Sequence, residues 1–178
     1  MGCGVGAVGL CIKYRVRECH VTGVDWDENF IALAERNNKA NDFAQDMVFV
    51  RTDIREFHRE EKPHFDHVVM NPPFYEAGKH TPSPDPLKQF ANGHGDEGLN
   101  LEEWVKTAHR ALKSRGTLSI IYPTQDMDKI FMILGRRFGA SEMFPLWPRA
   151  GEASKRVIIR TIKDRQPNVT LHAGLVLH

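Results

Sequence analysis

Three short apolar runs, each leading to a side-chain oxygen, constrain this chain most: His20–Asp25, Met47–Val50 with Asp53 just beyond it, and Phe65–Met70 running into Asn71. Short β-branched runs that alternate with helical stretches read as strands of an α/β sheet. Ala7–Tyr14 continues a glycine-rich turn as a helix. From Glu28 onward Ile31, Leu33, Ala34 and Asn38 recur at helical spacing behind Asp27, which suits an N-cap. Open α/β sheets bind their ligands outside the carboxyl ends of the strands. Asp25, Asp53 and Asn71 are therefore expected to mark a binding edge.

The remainder continues the pattern after one interruption. Tyr75–Gly98 holds Pro82, Pro84, Pro86 and several glycines with no sustained periodicity, and an irregular stretch of that length in a compact domain is usually functional or mobile. Leu101–Leu112 reads as a helix with Leu101, Trp104, Val105, Ala108 and Leu112 on one face, stopped by Gly116. Thr117–Tyr122 reads as a strand, Asp126–Arg137 as a helix, Glu142–Trp147 and Arg156–Ile162 as strands, and Val169–His178 as a further strand. These elements predict a mostly parallel sheet with an antiparallel end strand in one domain over residues 1–178. A glycine turn of a nucleotide-binding unit should follow a strand, but the glycines here begin at Gly2, and the chain ends in the apolar run Leu175–Leu177. The expectation is a domain cut short at both ends and lacking its first strand.

Charge is uneven where the total is not. The net charge is only +1, yet residues 1–105 hold 11 Lys+Arg against 18 Asp+Glu, and residues 106–165 hold 13 against 5. Such asymmetry suits a basic face for nucleic acid, or charges spread over solvated helix faces. Cys3, Cys11 and Cys19 form no C-x-x-C pair and are odd in number, which argues against a zinc site or a disulfide framework and for reduced thiols in a cytoplasmic protein. His58, His64 and His67 lack metal-ligand spacing, so no metal is expected. No apolar run approaches the roughly 20 residues that cross a bilayer, and Gly6 stands where a myristoylation signal wants Ser or Thr.

The chemistry-bearing residues fall into two groups. Gly2, Gly4 and Gly6 form G-x-G-x-G at the entrance to a helix, where a missing Cβ lets the backbone turn tightly and approach a ligand. An acid ending the next strand, Asp25, can accept hydrogen bonds from ribose hydroxyls, and Asp53 can accept from an adenine amino group. The second group is Asn71-Pro72-Pro73-Phe74. The two prolines remove two N–H donors and hold the chain rigid. They leave a row of acceptors suited to an amine with two hydrogens to present, and Phe74 offers a face for a base. Taken singly, each feature has a plain structural reading as a turn, a cap or a core phenylalanine.

In this order the motifs resemble the class I S-adenosylmethionine-dependent amino-methyltransferases. With Val21–Asp25 and Tyr122-Pro123-Thr124, the chain is similar along its length to the tRNA1(Val) adenine N6-methyltransferase family. The resemblance implies a Rossmann-like methyltransferase sheet and S-adenosylmethionine as cofactor, bound by Gly2, Gly4, Gly6, Asp25 and Asp53. It further implies Asn71 and Pro72 at the target amine and Phe74 stacked on the target base. Pro73, Tyr75, Lys79, His80, Arg149, Lys155 and Arg156, within a basic stretch from Arg136 to Arg160, are the candidates for contacts with tRNA or another structured RNA. Guanine N2 in ribosomal RNA and glutamine N5 of a release factor are also planar amines that the motif can serve. A DNA adenine methyltransferase would need a target-recognition domain that the chain does not show. A non-catalytic RNA-binding remnant of the fold is the alternative of another class.

Overall fold

The structure, a computed structural model, describes residues 1–43, 46–57, 62–73 and 100–178. Phe74, Tyr75, Lys79 and His80 lie outside the described residues, as does the irregular stretch that contains them. The chain divides into two compact units, residues 1–59 and 60–178.

The first unit contains α1 (Ala7–Arg15), β1 (Val21–Asp25), α2 (Glu28–Ala40) and β2 (Met47–Arg51). β1 and β2 pair in parallel, from Val21 opposite Met47 to Asp25 opposite Arg51. The α2 helix starts where expected, because the Asp27 carboxylate accepts from the N–H groups of Asn29 at 2.7 Å and Phe30 at 3.4 Å. Its apolar stripe, Ile31 and Ala34, is buried with Val24 and Met47. Glycine permits the close packing here: a Cβ on Gly23 would lie 2.4 Å from the Phe49 ring. A buried lysine ties the α1–β1 turn together. The Lys13 ammonium donates to the carbonyls of Arg17 and Cys19 and pairs with Asp46 at 2.9 Å, so its charge is compensated on every side.

The second unit contains β3 (Phe65–Met70), α3 (Leu101–Ala111), β4 (Leu112–Pro123), a 3-10 turn (Thr124–Asp126), α4 (Met127–Leu134), β5 (Phe138–Trp147), β6 (Arg156–Lys163), β7 (Val169–Leu171) and β8 (Leu175–Val176). The sheet order is β3-β4-β6-β5-β7, with β8 also on β5. β6 alone runs antiparallel, between β4 and β5, and β7 and β8 pair in parallel with β5. The inward side chains of the sheet, Val68, Met70, Leu118, Ile120, Val157 and Ile159, are buried, as are Trp104, Val105 and Ala108 of α3 and Ile130 of α4. Among the described residues no helix is long and apolar enough to cross a membrane.

Several boundaries differ from the sequence expectation for identifiable reasons. The α3 helix ends at Ala111, ahead of Gly116, because Lys163 reaches in from β6 and takes its last carbonyls. The ammonium donates to the His109 oxygen at 2.7 Å and the Leu112 oxygen at 2.8 Å, and β4 begins at once. The α4 helix ends at Leu134, before Arg137, with Gly135 at φ 51° just beyond it. β5 starts earlier than expected, since a bulge between Gly139 and Glu142 breaks its alternation. The final apolar segment makes two short strands, interrupted at Gly174 (φ 82°), where a Cβ would lie 2.2 Å from the Pro145 carbonyl.

Lys163 is 8 % exposed, so its loss strands buried carbonyls without a donor. Lys163→Ala should destabilise the protein by about 1–3 kcal/mol. The check is urea unfolding, where the midpoint should fall with the slope unchanged; an unmoved midpoint would refute this capping role.

Candidate active site

The glycine turn is built from left-handed backbone. Gly2, Gly4 and Gly6 have φ of 63°, 50° and 82°, a region that L side chains rarely adopt. A Cβ on Gly4 would project into open space, and one on Gly6 would press on the Ala34 side chain at 3.2 Å. The turn is therefore open on one side and seated on α2 on the other. Gly6 is also the N-cap of α1 and supplies no side-chain cap. The N–H groups of the first helical turn are thus left to a partner bearing negative charge.

Asp25 fixes this turn to the end of β1. One carboxylate oxygen accepts the Gly4 N–H at 2.8 Å and the other the Asp27 N–H at 3.2 Å. The Val24 carbonyl takes the Cys3 N–H at 2.9 Å. The acid expected to hold a ribose thus also shapes the loop beside it, and each oxygen retains a second lone pair for a hydroxyl donor. Asp53 is gripped by Arg55: its carboxylate takes Nε at 3.1 Å, Nη2 at 2.6 Å and the Arg55 backbone N–H at 2.8 Å. The Arg55 guanidinium holds that carboxyl below the usual carboxylate range, so it stays an ionised acceptor at neutral pH. The sequence reading did not single out Arg55 or Trp26. Trp26 follows Asp25 directly and is 48 % exposed, a large aromatic left in solvent beside the strand end; its place next to the acid was the available signal.

Cys3 adds a chemical marker to the same loop. Burial, with the negative charge of Asp25 nearby, pushes its thiol up to about 11. Below that pH Cys3 stays a thiol, which is a poor nucleophile. Iodoacetamide at pH 8 should therefore modify the exposed Cys11 and spare Cys3 until pH approaches 11, which peptide mass mapping will show; equal labelling at pH 8 would contradict this environment.

In the second unit, β3 delivers Asn71, Pro72 and Pro73. Asn71 is exposed, Pro72 buried and Pro73 half-buried. The proline ring anchors the corner, while the exposed Asn71 amide has no hydrogen-bond partner among the described residues. Strand register places other expected residues at the same end of this sheet. Met70 lies opposite Ile120 and Pro123 opposite Arg156. The Thr124 hydroxyl meets Ser154 at 3.1 Å, and the Thr124 N–H donates to the Lys155 carbonyl at 3.3 Å. Lys155 and Arg156 are thereby set beside the end of β4. Arg149 is nearby in the β5–β6 connection, 3.7 Å from Glu152. Among the described residues no group of acidic, histidine or cysteine side chains could hold a metal.

Residues 1–84 match the methyltransferase small domain. The chain is 26 % identical over 172 residues to the tRNA1(Val) (adenine(37)-N6)-methyltransferase of Shewanella baltica, covering 95 % of this chain and 70 % of that one. A crystal structure of a predicted O-methyltransferase from Agrobacterium tumefaciens superposes with a TM-score of 0.78 at 26 % identity, over 100 % of this chain and 78 % of that one. A putative class I S-adenosylmethionine-dependent methyltransferase from Listeria monocytogenes, 17 % identical, shares the fold with a TM-score of 0.65 over 96 % of this chain and 55 % of that one. These likenesses, over a chain of alternating strands and helices with parallel pairing, identify it as a Rossmann-like, class I S-adenosylmethionine-dependent methyltransferase.

Proposed function

We propose that the acceptor is a planar amine and, specifically, the N6 amine of adenine in a tRNA. The observation that carries this reading is the Asn71 side chain, exposed and without a partner among the described residues, at a corner stiffened by two prolines. Its carbonyl can accept one N–H of an exocyclic amine, and the backbone carbonyl at Pro72 can accept the other. Two such bonds turn the nitrogen away from conjugation with the ring and free its lone pair. A hydroxyl acceptor has one hydrogen to offer and would leave one of these oxygens unused. The tRNA assignment draws on the names of relatives similar to this chain, and on Lys155 and Arg156 at the same sheet end as Asn71.

The residues divide the work between donor and acceptor. S-adenosylmethionine supplies a methyl group already activated by its sulfonium. Gly2, Gly4 and Gly6 with the start of α1 would receive its amino-acid portion, Asp25 its ribose hydroxyls, Asp53 its adenine amine and Trp26 the face of that ring. On the acceptor side Asn71 and the Pro72 carbonyl stabilise the positive charge that develops on nitrogen. The rest of their contribution is orientation. No general base is needed, since the proton can leave to water once the nitrogen is alkylated.

Asn71→Ala should lower turnover by more than about 100-fold, the size expected for one preorganised polar partner, with cofactor affinity retained. Near-normal turnover would sink the role given to Asn71. Methylation assays on tRNA, ribosomal RNA and a release factor carrying the target glutamine identify the substrate, and labelling of either of the latter alone would replace the tRNA reading.

Calorimetry tests the donor half independently. Wild-type protein should bind S-adenosylmethionine, and Asp25→Ala should weaken binding by at least about tenfold, because a charge-assisted hydrogen bond is worth about 1.5–3 kcal/mol. No heat with wild-type protein would favour an RNA-binding remnant of the fold.

A further inference from the structure

The second unit carries a cavity of about 920 Å³ that the methyl-transfer reading does not use. It is lined by Arg136, Asp164, Arg165, Gln166 and Asn168 around Ala140 and Ile162. Strand register puts it at the opposite end of the sheet from Asn71. β6 enters beside Pro123 at Arg156 and leaves beside Phe138 at Lys163, and at about 3.3 Å per residue those seven steps span roughly 23 Å.

Its rim is fixed rather than loose. The N–H groups of Ala140 and Ser141 donate to the carbonyls of Gln166 at 3.0 Å and Asn168 at 2.9 Å, and the Asp164 N–H donates to the Arg137 carbonyl at 3.0 Å. A Cβ on Gly139 would lie 2.3 Å from the Gln166 carbonyl, so residues 165–168 sit directly on that glycine. Ala140 and Asp164 are held at φ of 48° and 58°, a strained backbone state outside glycine, and such strain gathers at binding sites.

The side chains left over are polar and cationic. With the backbone of the 165–168 segment committed to β5, the amides of Gln166 and Asn168 and the guanidinium groups of Arg136 and Arg165, all exposed, have no hydrogen-bond or ion-pair partner among the described residues. The one acid in the cavity is already engaged: the Asp164 carboxylate meets Ser114 at 3.1 Å and His109 at 3.7 Å. Two uncompensated guanidiniums with neutral donors beside them in a preformed hollow suit phosphate oxygens.

We propose that this cavity binds backbone phosphates of the RNA substrate, at the end of the sheet away from Asn71, and so acts as a second anchoring site. The proposal rests on the RNA reading of the acceptor. A folded RNA that offers a base at one end of the sheet has further duplex to lay along it, and contacts to phosphate set register without reading sequence.

The test is tRNA binding and methylation by the intact chain, comparing wild type, the double variant Arg136→Ala with Arg165→Ala, and the double Lys variant at the same positions, between 50 and 200 mM salt. The Ala pair should bind tRNA about tenfold more weakly at low salt and show a salt slope shallower by about two, because two phosphate contacts no longer release counterions. Its turnover at saturating tRNA and its affinity for S-adenosylmethionine should stay within about twofold, and the Lys pair should recover most of the binding. Unchanged tRNA affinity and slope in the Ala pair overturn the proposal. If ADP or inorganic phosphate then binds wild type but not the Ala pair, the cavity serves a small anion instead of RNA. Weakened tRNA binding without any methylation of tRNA by wild type would leave the anchoring site standing and remove the proposed reaction.

Discussion

The carboxylate of Asp25 organises the first unit. A glycine turn with three left-handed residues has little intrinsic preference for one shape, because the residues that make it possible are those with the most conformational freedom to lose. Its shape must be imposed by partners, and Asp25 supplies two at once by accepting from Gly4 and Asp27. Asp27 passes the constraint on, since its own carboxylate caps α2 through Asn29 and Phe30. Strand end, glycine turn and helix start are thus linked by two neighbouring acids. Arg51 opposite Asp25, and the Thr52 N–H on the Asp25 carbonyl at 3.0 Å, carry the linkage across to β2 and toward Asp53.

The second unit solves a different problem: it must hold an irregular corner still at the end of a sheet. Two prolines accomplish this where hydrogen bonds cannot, since they lose no N–H groups to solvent and fix their own φ. Pro72 is buried while Asn71 is not, so the rigid part of the corner faces inward and the Asn71 amide is left exposed. The ladder from β3 through β4 to β6 then brings the basic Lys155–Arg156 pair to the same end. β6 is what makes this possible: running antiparallel between two strands of the other sense, it begins where β4 stops.

Local chemistry in this chain was readable where a side chain acts on its own neighbours. Asp27 capping Asn29 and Phe30, the strand Phe65–Met70 and the proline corner all follow from residues within a few positions of one another, and they occur as the sequence indicates. Tertiary partners were not readable in the same way. The end of α3 was legible to within one residue, Ala111 against Leu112, but not the group that takes its last carbonyls, because Lys163 arrives from a strand far along the chain. The bulge at Gly139 and the break at Gly174 were likewise invisible to a periodicity argument: each glycine answers to a backbone carbonyl of another segment, at Gln166 and Pro145. Glycine and acid at strand ends stand out in a sequence because they serve a ligand by type, whereas an aromatic residue such as Trp26 has many structural uses.

The contrast between the two carboxylates at the donor side bears on selectivity. Asp25 is bound by backbone N–H groups, so its remaining lone pairs point in fixed directions and, in the proposed function, would suit the hydroxyl pair of a ribose. Asp53 takes one backbone N–H, that of Arg55 at 2.8 Å, and a bidentate guanidinium that is itself about half exposed, so its carboxylate has one fixed and one side-chain partner. The corner at Asn71 follows the pattern of Asp25, with proline rings taking the part that backbone N–H groups play there. In the proposed function such fixed acceptors would stand where hydrogen-bond geometry decides the outcome.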